Sequence, residues 1–236
     1  MVKVITSGAF AAALKQLVPI YEKENSCKVD LSFGSSIGAA HDSIPTRLRN
    51  GERFDLFILA SSALEGLISQ GLIKKGSRVD LVSSCIGAAV RIEDKAPDIS
   101  SVVALKNALL SAKSVAYSAS ASGTYISTEL FQELGIAEEM KLKAKRIFSE
   151  RVGTVLVRGE ADLGFQQISE LLPISGIKII GELPPEVQRS FFFSAGTGAA
   201  TEKENTVNDL VKFLASDAAG NIIRETGLSP VFPKLN

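Results

Sequence analysis

Short apolar runs alternate along the whole chain with stretches whose apolar side chains return every three or four positions. Val2–Thr6 reads as a strand broken by Ser7-Gly8. From Ala9 to Glu24, residues Phe10, Leu14, Leu17, Val18 and Tyr21 share one helical face, with Pro19 interrupting it. Cys27–Phe33 is a second strand leading into Gly34-Ser35-Ser36-Ile37-Gly38. A helix is predicted from there to about Asn50, with Pro45 in its first turn or kinking it. Phe54–Leu59 is unbroken apolar, as in strands buried on both faces, and Ser61–Gln70 is a helix closed by Gly71. Beyond it the pattern predicts strands at Ile86–Ile92, Ser114–Tyr117, Ala144–Phe148, Leu163–Gln167, Ile177–Ile180 and Arg189–Ser194. Helices are predicted at Ser101–Leu110, from the Ser118–Thr124 loop to Leu134, and at Val152–Arg158, which Gly159 ends. Two more follow at Val207–Ala215 and Ala218–Glu225, and Gly227–Pro233 is a tail. Phe191-Phe192-Phe193 is expected to be core on both strand faces, and Lys141–Arg146 a solvated face. Strands alternating with helices define an α/β architecture with largely parallel sheets.

Four strand ends carry glycine- and serine-rich turns: Ser7-Gly8, Gly34–Gly38, Ala60–Ser62 and Ser118–Gly123. In α/β sheets the carboxyl ends of strands face helix N-termini, whose first N–H groups lack intrahelical partners, and small residues admit a ligand close to the backbone. The recurrence points to an anion site.

Composition narrows the partners. With 45% hydrophobic residues and 26 basic residues cancelling 26 acidic ones, the chain is a folded protein without the electrostatic footprint of a nucleic-acid or anionic-membrane binder. No apolar run reaches the roughly 18 residues of a membrane span. As Met1-Val2 leads straight into a strand, the expectation is a cytoplasmic protein, or a periplasmic one if this is a trimmed mature form. The single histidine, His41, excludes a histidine-rich metal site, and neither metal nor organic cofactor is expected. Cys27 and Cys85 are either small buried hydrophobes or a disulfide.

The landmarks Ser7-Gly8-Ala9, Leu31–Ser36, Asp55-Leu56-Phe57-Ile58, Ala121–Tyr125, Arg151-Val152-Gly153 and Ala161–Phe165 resemble, over nearly the whole chain, the type II periplasmic binding proteins of the molybdate-binding-protein-like group. That resemblance implies two α/β lobes with a ligand cleft between them and two hinge crossings. Residues 1–84 and 189–236 would form lobe one and 85–188 lobe two. It also implies ligand contacts at Ser36 and at the N–H groups of Ser122 and Val152. Two molybdate contacts change type here, with Ala9 for a serine and Gln167 for a tyrosine, which turns the expectation away from a bare tetrahedral oxyanion. Ile44–Leu48, Ser77–Leu81, Val115–Ser118 with Ala121–Gly123, and Val152–Gln167 are similar to the aconitate isomerase branch of the superfamily, which interconverts cis- and trans-aconitate.

A tricarboxylate needs several inward donors. The candidates are Ser7, Gly8, Ser35, Ser36, Ser122, Gly123, Val152 and Gln167. Neighbouring strand residues face opposite sides, so only one of Gln166 and Gln167 is expected to reach the cleft, and the resemblance, which sets Gln167 at the tyrosine ligand's position, favours Gln167. Arg47 and Arg91 are candidates for bidentate carboxylate pairing, or else for ion pairs within the protein. Allylic proton transfer needs an acid–base group, and His41 and Tyr125 are the candidates, with Glu150 and Tyr117 behind them. The readings are therefore a cofactor-independent isomerase of a small tricarboxylate, or a solute-binding protein that passes a small carboxylate or oxyanion to an ABC importer if exported.

Overall fold

The computed structural model describes residues 1–231, and the chain divides into two compact units. Unit 1 holds Met1–Ser84 and the chain from Phe191, and unit 2 is Cys85–Ser190, so the return crossing lies two residues beyond the expected position 188.

Unit 1 begins with β1 (Val2–Thr6), α1 (Gly8–Glu24), β2 (Val29–Phe33), α2 (Ile44–Arg49), β3 (Leu56–Ala60) and α3 (Ser61–Ser69). The five apolar residues of the α1 stripe are all buried, while Pro19 sits on the exposed side. The second helix starts later than the pattern predicts. Ser43 Oγ accepts from Thr46 N at 3.3 Å and Pro45 occupies the first turn, so the helix opens at Ile44 and residues 37–43 are turns and bends.

Then β4 (Val79–Arg91) runs from unit 1 into unit 2, starting seven residues before the expected Ile86. Unit 2 continues with α4 (Val102–Ser111), β5 (Val115–Ser118) and α5 (Ala121–Tyr125). A π-helical stretch at Ile126–Leu130 carries α5 into α6 (Phe131–Glu133). Next come α7 (Ala137–Lys143), β6 (Ala144–Ile147), α8 (Val152–Val157), β7 (Leu163–Gln167), α9 (Ile168–Leu171) and β8 (Ile177–Glu182). The return strand β9 (Ser190–Thr197) leads back to unit 1 and to α10 (Glu204–Leu214), α11 (Asp217–Glu225) and β10 (Ser229–Pro230). The expected tail is thus partly a strand, and its residues 232–233 lie outside the described residues.

In unit 1, β1 pairs in parallel with β2 (Val2↔Val29) and β3 (Val4↔Leu56), β9 joins β3 antiparallel (Leu56↔Thr197), and β10 pairs with the start of β4 (Ser229↔Ser83). In unit 2, β5 is parallel to β6 and β7, while β4 is antiparallel to β7 (Ile86↔Gln167) and to β8 (Val90↔Lys178). Both sheets are therefore mixed rather than largely parallel, the antiparallel pairings lying at the strands that carry the chain from one unit to the other. The core of unit 1 gathers around Ile5, Ile44, Phe57, Leu59 and Leu64, and that of unit 2 around Ala116, Val152, Leu156 and Leu171.

Two local expectations change. Along β9 Phe193 is buried but Phe192 is 47% exposed, so the triplet alternates instead of filling core on both faces. Cys27 and Cys85 are free, half-buried thiols, not a disulfide. Lys141–Arg146 is largely exposed across the α7–β6 junction. Among the described residues no helix is long and apolar enough to cross a membrane.

Candidate functional site

In unit 1 the first strand ends at Ser7, the N-cap of α1. Its N–H donates to Ile58 O at 2.9 Å, but its hydroxyl, 4% exposed, has no partner and does not cap the helix. Gly8 opens α1. Ser35 donates its hydroxyl to Ile37 O at 2.8 Å, closing its own turn. Ser36 lies in a bend, not at a helix start. Its buried Oγ accepts from Ala60 N at 3.0 Å, which leaves the hydroxyl proton available to an acceptor. A concavity of about 490 Å³ beside Ser36 is lined by Ile37, Pro45, Leu48, Ala63 and Leu67 together with the polar Arg49 and Gln70.

The two arginines singled out from sequence are engaged within the protein. Arg47 forms a two-pronged pair with Glu52 (Nε–Oε1 2.8 Å, Nη2–Oε2 2.6 Å) and donates to Phe33 O and Ser32 Oγ, tying α2 to β2. Its hydrogen bonds with Glu52 raise its pKa further. Arg91 pairs with Asp94 at 3.0 and 3.2 Å, at the end of β4. His41, expected near a helix start, is exposed on a turn three residues before α2.

Unit 2 gathers hydroxyls and amides at the carboxyl ends of β5 and β7. Ser118, Ser120 and Ser122 form a closed triangle of hydroxyls at 2.7, 3.2 and 3.2 Å, with Ser122 fully buried in the first turn of α5. Any of the three can redirect its proton to a ligand oxygen, since each also accepts. Gly123 makes this turn sterically feasible. A Cβ there would lie 1.6 Å from Ser118 O, so only glycine lets α5 pack against the end of β5.

At the end of β7 the two glutamines differ sharply. Gln166 is fully engaged: Oε1 accepts from Val152 N at 2.8 Å, and Nε2 donates to Glu170 at 2.8 Å. The Val152 N–H expected to face a ligand is thus capped by a side chain of the protein itself. Gln167, 1% exposed, has neither an acceptor for Nε2 nor a donor for Oε1, and two residues on the fully buried Ser169 hydroxyl is also unpartnered. Buried amides almost always find partners, so this pair of orphaned groups is a candidate place for a guest.

Two further charged groups stand here that sequence reasoning did not select. Burial pushes the Glu170 carboxyl up to about 7, against the pull of Arg151 and the hydrogen bond from Gln166. Arg151, the half-buried N-cap of α8, accepts from Thr154 N through its carbonyl at 3.1 Å, and its charge acts on Glu170. Glu170 follows Gln166 at i+4, a spacing that could have flagged the contact had the short helix α9 been foreseen.

Tyr125 is buried at the end of α5 and donates its phenol to Val187 O at 2.6 Å, beneath the Arg189 guanidinium. Burial, then the charge of Glu133, raises its pKa, so its proton is both committed and hard to remove. Glu150 is held by Arg158 at 2.8 and 2.9 Å, and the ring of Tyr117 packs edge-on against Phe131. Among the described residues no group of three His, Cys, Asp or Glu side chains is placed to hold a metal ion.

Two α/β units linked by two strand crossings, with buried, uncharged donors at their strand ends, are the build of a solute-binding protein of the periplasmic type. The chain belongs to the bacterial extracellular solute-binding protein family, whose model matches residues 2–229. It is 40% identical over 228 residues to an aconitate isomerase from a Pseudomonas species, spanning 97% of this chain and 87% of that protein. Among solved structures it is similar to the periplasmic molybdate-binding protein of Azotobacter vinelandii (TM-score 0.76, 22% identity, covering 99% of this chain and 100% of that one). It is also similar to the substrate-binding domain of a putative molybdenum ABC transporter from Clostridium difficile (TM-score 0.70, 20% identity, 98% of each chain). At these identities the two structures show the fold alone.

Proposed function

We propose that this protein interconverts cis- and trans-aconitate by allylic proton transfer without a cofactor. The observation that carries the reading is the likeness to the Pseudomonas aconitate isomerase, at 40% identity across 97% of the chain, far above the identity to the oxyanion receptors that share its fold. The residues support it chemically. Serine hydroxyls and a glutamine amide are directional donors suited to carboxylates, and the tyrosine of the molybdate group is replaced by Gln167.

In the reaction a base takes one proton from the methylene carbon, the electron pair spreads over the three-carbon allylic system into a carboxylate, and a proton returns at the other end of that system. The double bond moves, and atoms and charge balance. Hydroxyls of Ser118, Ser120 and Ser122 and the amide of Gln167 would stabilise the transient charge. Glu170 takes the proton-shuttle role ahead of His41 or Tyr125, because it combines a half-buried place at the end of β7, hydrogen-bonded to Gln166, with a pKa of about 7, matched to neutral pH. Incubation with trans-aconitate, followed by proton NMR, is expected to yield cis-aconitate, and each isomer should run to the same equilibrium mixture.

The family itself favours a second reading, a receptor that hands a small organic anion to an ABC importer outside the cytoplasm. Tight binding of aconitate without conversion would select it.

A further inference from the structure

The orphaned amide of Gln167 demands a guest with an uncommon pattern. Nε2 needs an acceptor and Oε1 needs a donor, both inside protein at 1% exposure. Exchanging the two amide atoms changes nothing, since neither has a partner. A fully ionised tricarboxylate offers acceptors only, and it would leave Oε1 as destitute as before. A carboxyl that keeps its proton offers both, and it meets a primary amide in a planar pair of hydrogen bonds, C=O to Nε2–H and O–H to Oε1. The unpartnered Ser169 hydroxyl lies two residues on and adds a third polar group whose partner must come from outside the described contacts.

We propose that Gln167 determines the protonation state of the substrate, binding one carboxyl of a tricarboxylate as the neutral acid. This rests on the isomerase reading and deepens it. A neutral carboxyl suits the chemistry. Removing a proton from carbon beside a carboxylate piles a second negative charge onto that group, whereas beside a neutral carboxyl the electron pair enters an uncharged one. Magnitudes permit it. Burial raises a carboxyl by up to about 3–5 pH units, and only about 3 separate an ordinary carboxyl from neutral pH.

The nearby titrating and charged groups are Glu170, three residues along, Arg151, whose charge acts on Glu170, Cys85, whose neighbour Ile86 pairs with Gln167 across β4 and β7, and Glu182, which acts on Cys85. Burial raises the Cys85 thiol, which keeps it protonated in the range of the test.

The test uses propane-1,2,3-tricarboxylate, a saturated probe that cannot isomerise. Calorimetric titration at pH 7.5 in two buffers of different ionisation heat reads the protons taken up on binding. Uptake of about one proton per ligand is expected, and the same uptake in Glu170→Gln assigns it away from Glu170. In Gln167→Met, which removes both orphaned polar atoms, uptake should fall toward zero and affinity about tenfold or more. If Gln167→Met fails to fold, Gln167→Leu is measured in its place, with the same loss of uptake expected. Binding without proton uptake, or uptake that vanishes in Glu170→Gln, would overturn the inference and leave the isomerase reading standing. No binding of this probe or of either aconitate would overturn both.

Discussion

The strand-end turns at residues 34–38 and 118–123 are built from the same small residues and are spent differently. In unit 1 the Ser35 hydroxyl closes its own turn, the Ser36 hydroxyl braces Ala60 N, and the nearby Arg47 is consumed by Glu52. In unit 2 the three serines bond only to one another, and Gln167 and Ser169 bond to nothing. The first turn is largely satisfied by the fold. Beside the second, at the end of β7, Gln167 and Ser169 keep buried polar atoms without a partner, as the Ser7 hydroxyl does in unit 1, and the amide of Gln167 is where binding free energy and specificity are expected to concentrate.

The largest effect that would sharpen this contrast is Gly123→Ala. With 1.6 Å between the added carbon and Ser118 O, the turn has to move, and a loss of about 3 kcal/mol in stability is expected by chemical denaturation. Next, Ser122→Ala should weaken aconitate binding by about 1–2 kcal/mol with the fold intact, since it removes one hydroxyl of the triangle.

A pH test follows from Glu170. Its folded pKa is raised from 4.5 to about 7, so the native state binds the proton more tightly than the unfolded chain does. The stability this group contributes is therefore full below pH 4.5 and lost as pH rises to about 7, a total of up to about 3 kcal/mol. Glu170→Gln should flatten the dependence across that window and raise stability at pH 8, as read from unfolding midpoints at pH 5 and pH 8.

The smallest effect is expected in unit 1. Arg47→Gln should cost about 1 kcal/mol of stability, as it loosens α2 from β2, and change the aconitate KM less than twofold. A large KM increase with unchanged stability would restore Arg47 as a ligand and erase the contrast.

Much of the fold was legible because its signals are local. The α1 stripe, the apolar run of β3 and the glycine breaks after α3 and α8 all read directly as elements. What stayed hidden depends on partners distant in sequence. Strand β4 begins at Val79 because its early residues find β10, more than a hundred positions away. Helices α7 and α9 are too short for a period to show. The site was half legible for the same reason. Small residues at strand ends announce where a ligand could approach, but nothing local reveals that Glu52 and Asp94 occupy both arginines, or that Gln166 occupies the Val152 N–H. Formal charge drew attention to Arg47 and Arg91. The uncharged Gln167 stands out only by its missing partners, and the half-buried Glu170 only by its surroundings in the fold.

The most direct measurement is the conversion of trans-aconitate in deuterium oxide, followed by proton NMR. The account predicts that cis-aconitate accumulates with solvent deuterium on carbon, at a rate proportional to protein. Aconitate that binds tightly yet neither isomerises nor exchanges a carbon-bound proton would contradict it.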